Sequence, residues 1–222
     1  MMARFFEKKG FRVLIFDNRG AGKTESEGAF SLEDVADDLG ALISALAIKQ
    51  THLVGFSMGG IVARCFAHKD QTRVKTLSLV STPFNKDFLK NRSTLYLKRT
   101  LEEIEKDLAS YVAKEFFDKN KLVMISMARK IFSEQDCVYE KSYLSQREAI
   151  AQTAKDFFIL PEALKRIQVI HGDLDEIIPL AEAQKFKEQD SRVIFKAIVG
   201  AGHLLLIEKT RELYQSLLSF IS

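Results

Sequence analysis

The chain has 222 residues, 46% hydrophobic and 28% charged, a balance that supports one good-sized core and excludes disorder as its main state. No apolar run approaches the roughly 20 residues that span a bilayer, and the opening ten residues mix charge into their apolar stretch too early for a signal peptide. The net charge of +3, with 16 basic residues facing 13 acidic ones between positions 84 and 166, is too small and too little clustered for a nucleic-acid-binding face.

In chain order, the apolar run at 12–17 predicts a buried strand, and a turn-rich loop follows to residue 30. Ser31, with Asp34 three residues on, predicts a capped helix whose apolar positions Leu32, Val35, Leu39, Leu42, Ile43 and Leu46 recur at helical spacing. A strand is predicted at 51–56, a helix lined by Ile61, Val62, Cys65 and Phe66 after it, and a third strand at 74–82. Residues 84–160 break this rhythm with a long stretch that holds no strand pattern. Further strands are predicted at 167–172 and 192–199, with helices near 181–188 and from about 204. Strands alternating with helices of this length predict an α/β fold, a mostly parallel sheet flanked by helices. The expected division is a core at 1–83 and 161–222, interrupted by an all-helical lid insertion at 84–160. Cys65 and Cys137 are too few for a disulfide framework or a metal cluster, and with no export signal the expected compartment is the cytoplasm.

The strongest chemical signal is Gly55-Phe-Ser57-Met-Gly59, with Gly60 behind it, where a strand should end and a helix begin. A turn that sharp needs small neighbours, pushes the serine oxygen into the open, and sets a helix N-terminus under any charge formed there. The competing reading is a glycine-rich tight turn. A nucleophilic serine needs a base and an orienting acid. His203 follows Gly200-Ala-Gly202 in a loop after a strand; His52, His68 and His171 sit where structural or surface roles are expected. Between serine and histidine, the loop His171-Gly-Asp173-Leu-Asp175 offers two aspartates. The order Ser…Asp…His is the one expected for an α/β-hydrolase.

Taken together, Phe16-Asp-Asn-Arg-Gly-Ala-Gly22, Gly-Phe-Ser-Met-Gly-Gly60, Ser-Thr-Pro83, Gly172-Asp-Leu-Asp-Glu-Ile-Ile-Pro179 and Gly-Ala-Gly-His203 resemble the α/β-hydrolase superfamily. The likeness is to its branch of small esterases, lactonases and perhydrolase-like enzymes with helical lids, and it covers nearly all the chain outside the lid. The resemblance implies that the acid is the aspartate four residues before the proline, Asp175, ahead of Asp173. It also implies that the Met58 N–H, one residue after the serine, serves as an oxyanion-hole donor. It implies no metal and no organic cofactor. The family normally carries earlier strands, one ending in a His-Gly loop that gives the second oxyanion donor, and the sequence shows no such segment. The expectation is therefore either direct pairing of 12–17 with 51–56 or an N-terminally incomplete sequence, with incompleteness favoured.

The expected activity is hydrolysis of a carboxylic ester, thioester or lactone through an acyl-enzyme. The lid's Phe, Tyr and Met side chains imply a small-molecule substrate with an apolar group. Lys86, Lys90, Arg92, Lys98 and Arg99, facing one acid at Asp87, read either as a solvated face or as a docking site for an acidic acyl carrier. The main alternative is a non-catalytic binding protein on the same fold. A remote one is a nucleotide hydrolase, from the likeness of Gly20-Ala-Gly-Lys-Thr24 to the end of a P-loop, which would need a helix starting at the Lys-Thr.

Overall fold

A helix that begins where Ser31 predicts it organises the first half of the protein. The computed structural model describes residues 2–26, 28–85, 99–133 and 137–222, the last without the side chains of 137–143. A short helix α1 (Met2–Glu7) comes first, then α2 (Leu32–Ala45). Ser31 Oγ accepts from the Asp34 N–H at 3.1 Å, and the Asp34 carboxylate accepts from the Ser31 N–H at 2.8 Å, closing a capping box. Leu32, Val35, Ala36, Leu39 and Ile43 turn one apolar face inward.

Among the described residues four strands, β1 (Thr51–Phe56), β2 (Val74–Val80), β3 (Ile167–Gly172) and β4 (Val193–Ile198), form a parallel sheet in the order β1-β2-β3-β4. The connections are α3 (Met58–Lys69), the long insertion, and α8 (Leu180–Gln189), while α9 (Leu205–Glu208) and α10 (Thr210–Ile221) close the chain. The helix expected from about 204 is thus two, parted at Lys209. Successive side chains of a strand face opposite ways, so Leu77, Leu79 and Val169 join a core with α2, α3 and α8, while Val80 and Ile170 join one with α1 and α10. β3 is buried along its whole length and β2 everywhere but Lys75, because both faces of the sheet are covered there.

Residues 12–17 depart from expectation: they form no strand. Among the described residues their backbone makes no hydrogen bond to another segment, and β1 pairs only with β2, so direct pairing of 12–17 with 51–56 does not occur. Ile15 is 73% exposed and Phe16 37%. An apolar run reports a preference for burial, whereas a strand exists only where a neighbour supplies hydrogen bonds. The P-loop likeness fails as well. Ala21 and Thr24 pair across a tight turn, the Asp17 carboxylate accepts from the Lys23 N–H at 3.1 Å, and the next helix starts only at Leu32.

The described part of 84–160 is helical: α4 (Leu101–Ser110), α5 (Lys114–Lys119), α6 (Lys121–Ser133), α7 (Cys137–Gln152) and a 3-10 turn at Lys155–Phe158. Its two ends are tied together by Arg64 of α3, which is wholly buried. The Arg64 guanidinium donates to the carbonyls of Pro83 (2.9 Å), Phe84 (3.0 Å) and Phe158 (3.1 Å) and lies over the rings of Phe158 and Phe186. Among the described residues no helix is long and apolar enough to cross a membrane.

Candidate active site

Ser57 stands between the end of β1 and the start of α3 with φ +51° and ψ −121°, a left-handed conformation that a residue with a Cβ adopts only under constraint. The constraint is visible. Its N–H donates to the Val80 carbonyl of the next strand at 2.8 Å, and its carbonyl accepts from the Gly60 N–H at 3.0 Å. A Cβ on Gly55 would lie 2.5 Å from the Gly59 oxygen, and one on Gly60 would lie 2.0 Å from Thr82 Oγ1. A Cβ on Gly59 would meet nothing within 4 Å, so packing demands the first and third glycines of the motif and leaves the second open. Met58 opens α3, and its N–H belongs to the first turn, whose donors have no acceptor within the helix.

The structure brings Ser57, His203 and Asp175 together from three separate loops. His203 Nε2 lies 3.1 Å from Ser57 Oγ, and His203 Nδ1 lies 2.8 Å from Asp175 Oδ2. The imidazole is buried, with the rings of Phe56 and Tyr111 at 5.2 and 5.7 Å. The other Asp175 oxygen accepts from the N–H groups of Ile177 (2.8 Å) and Ile178 (2.9 Å). Burial opposes ionisation of Asp175, but bonds from His171 and His203 outweigh it and hold the carboxyl well below the usual carboxylate range. Beside an ionised Asp175, Nδ1 of His203 carries the ring proton and Nε2 is left to accept from the serine hydroxyl.

Asp173 is placed elsewhere. Its Oδ1 accepts from the N–H groups of Gly200 (2.7 Å) and Ala201 (3.4 Å), tying the aspartate loop to the histidine loop. His52 bonds Thr76, and His68 bonds the Ile159 carbonyl. His171 is nearer the chemistry than its strand position implies: Nε2 is 2.7 Å from the Ile178 carbonyl and 3.2 Å from Asp175 Oδ2. Its spacing of four residues before Asp175, at the end of a strand, is the sequence signal that would have found it.

Of the apolar residues in the 84–160 insertion, Tyr111 reaches His203, Met124 is buried, Phe158 packs in the sheet core and Phe132 is 48% exposed. Lys86, Asp87, Lys90, Arg92 and Lys98 lie outside the described residues, and Arg99 pairs with Asp107 at 2.8 Å. One cavity of about 1200 Å³ is lined by Phe84, Leu144, Arg147, Phe158, Phe186 and Arg192 among others, and neither Ser57, Asp175 nor His203 lines it.

Comparison with known proteins agrees with this architecture. Residues 2–210 match the family described as alpha/beta hydrolase fold. The 3-oxoadipate enol-lactonase 1 of Acinetobacter baylyi is 22% identical over 221 residues, 96% of this chain and 80% of its own. The non-heme chloroperoxidase of Streptomyces lividans is 27% identical over 234 residues, 98% of this chain and 84% of its own. RutD of Pantoea ananatis is 33% identical over only 73 residues, which span 32% of this chain and 26% of that relative. The structure of a thermophilic esterase from Thermogutta terrifontis superposes with a TM-score of 0.73 at 23% identity, over 92% of this chain and 77% of that one. A family match across nearly the whole chain, on a parallel sheet with this strand-to-helix serine turn, settles membership: the chain belongs to the alpha/beta hydrolase fold family.

Proposed function

We propose that the protein is a serine hydrolase that cleaves a carboxylic ester, thioester or lactone bearing an apolar group through an acyl-enzyme. The observation that carries this reading is the unbroken hydrogen-bond chain from Ser57 Oγ through His203 to Asp175, at 3.1 and 2.8 Å, on a constrained serine. Ser57 Oγ attacks the carbonyl carbon while His203 Nε2 takes its proton. The Met58 N–H, at the N-terminal end of α3, receives the developing oxyanion. His203 then returns the proton to the leaving alcohol or thiol, and the acyl group stays on Ser57. Water repeats the sequence with His203 as base and releases the acid. Asp175 holds the imidazole tautomer and stabilises the imidazolium that forms twice per cycle. The rings of Phe56 and Tyr111 beside His203 supply apolar walls, which supports an apolar substituent. The lactonase and esterase among its relatives support the substrate class.

The rival reading is a binding protein on the same fold, because Met58 supplies the one oxyanion donor identified among the described residues. Turnover of p-nitrophenyl acetate and butyrate decides between them. The wild type should hydrolyse at least one, and Ser57→Ala and His203→Ala should each lower kcat by about 10⁴-fold or more. Equal turnover by wild type and Ser57→Ala would overturn the catalytic reading, and a folded wild type inert on both esters would favour the binding one.

A further inference from the structure

Glu208 takes no part in the scheme above, yet its carboxylate is half-buried one helix away from the candidate base. It ends α9, five residues after His203. Both its oxygens lie 3.0 Å from the Gly202 N–H, and one also accepts from the Ala113 N–H at 2.7 Å. Those donors belong to different parts of the molecule. Gly202 immediately precedes His203, and Ala113 is the residue from which lid helix α5 starts.

Three further contacts fall at the same junction. The Leu204 N–H donates to the Tyr111 carbonyl at 3.0 Å. The Tyr111 ring meets the His203 imidazole edge-on, at 5.7 Å and 74°. A Cβ on Gly202 would fall 2.8 Å from the backbone of Val112 and Ala113, so the two chains touch with no side chain between them. Of the residues on either side of His203, Leu204 is therefore bonded to the arm directly, at 111, and Gly202 is linked to it at 113 through Glu208.

We propose that Glu208 is a positioning residue that pins the lid arm 111–113 to the histidine loop, so that seating of the lid sets where His203 stands and how well it activates Ser57. The geometry asks for a carboxylate. Two N–H groups from separate segments converge on it, and an anionic acceptor binds such donors more strongly than a neutral one. Burial raises the Glu208 pKa, opposed by the two backbone N–H bonds, and Asp175 adds to the rise while Lys209 counters it. Such a carboxylate is kept at a cost, which is offset only by what it holds together. A misplacement of the imidazole by about 1 Å is enough to cost about 10²-fold in rate.

The proposal rests on the serine-hydrolase reading, and the test separates the two. The probes are a fluorophosphonate, for the labelling rate of Ser57, and p-nitrophenyl acetate, for kcat and KM, all measured well below the melting temperature. Glu208→Ala should slow labelling and lower kcat by about 10- to 100-fold while KM stays within about threefold. Glu208→Gln keeps one amide oxygen as acceptor and should recover most of the loss. Gly202→Ala, which forces the arm away while leaving Glu208 in place, should slow labelling in the same range. If wild type labels and a folded Glu208→Ala labels at the wild-type rate, with only the melting temperature lowered, the pin is wrong and the hydrolase reading stands. If Glu208→Ala does not fold, the decision passes to Gly202→Ala, whose wild-type rate would overturn the proposal equally. If wild type itself leaves Ser57 unlabelled, the hydrolase reading falls and the pin falls with it.

Discussion

Asp175 stays ionised in a buried site because four groups are aimed at its two oxygens: the N–H groups of Ile177 and Ile178 on one, His203 and His171 on the other. The first prediction follows from that contrast with Asp173, whose carboxylate accepts from the Gly200 and Ala201 N–H groups. Asp175→Asn should lower kcat on p-nitrophenyl acetate by about 10⁴-fold, and Asp173→Asn by less than about tenfold. The reverse order would move the acid to Asp173. A pH prediction follows from the same residue. A carboxyl held below its unfolded value contributes stability that is present above the unfolded value of about 4 and is lost as pH falls toward the folded one. Urea unfolding should therefore show wild type losing stability faster than Asp175→Asn between about pH 4.5 and pH 2.5, and parallel losses would contradict the assignment. The sequence alone left two aspartates in one loop, and the resemblance chose between them. The resemblance says nothing of His171, whose place in β3, four residues before Asp175, was the one sign that its ring reaches the same carboxylate.

At the scale of the elements, what was legible was what is local. The Ser31 capping box lies within four residues, and α2 begins where it says; Ser31→Ala should cost about 1 kcal/mol in urea unfolding, with activity at low denaturant unchanged. Likewise β1 and β3 were readable to the residue, because short runs rich in β-branched and apolar residues, bounded by turn residues, are the mark of strands, and β3 is buried along its whole length. The Arg64 tie was not readable. Its partners lie 19, 20 and 94 residues away in the chain, and nothing in a helix sequence announces which carbonyls will meet a guanidinium. Arg64→Met fills similar space but leaves three buried carbonyls without donors, at about 1–3 kcal/mol each. We expect a loss of about 3 kcal/mol or more in urea unfolding. Arg64→Lys should recover only part of it, because an ammonium cannot reproduce the planar fork. A cost below about 1 kcal/mol for Arg64→Met would show that the two lid ends hold without it.

Among the described residues the whole molecule is a four-stranded parallel sheet with a helical insertion that touches the His203 loop through Tyr111, near where the loops carrying Ser57, Asp175 and His203 meet. The strand misread at 12–17 belongs to this scale: its apolar pattern is genuine, but pairing is a property of neighbours and not of the run itself. The stability consequence is a contrast between two isoleucines. Ile170→Ala, in the sheet core, should cost about 2–5 kcal/mol, whereas Ile15→Ala, on the exposed run, should change stability by no more than about 0.5 kcal/mol. Comparable losses at the two sites would mean that 12–17 is packed in solution as a strand would be. The central claim, that the three converging loops make Ser57 a nucleophile, is tested most directly by locating the adduct. Native protein treated with a fluorophosphonate and mapped by peptide mass spectrometry should carry one phosphonyl group, on the peptide containing Ser57, with none after unfolding in urea and none in Ser57→Ala. An adduct on another residue, or a natively folded protein that stays unmodified while an active serine esterase is labelled under the same conditions, would contradict it.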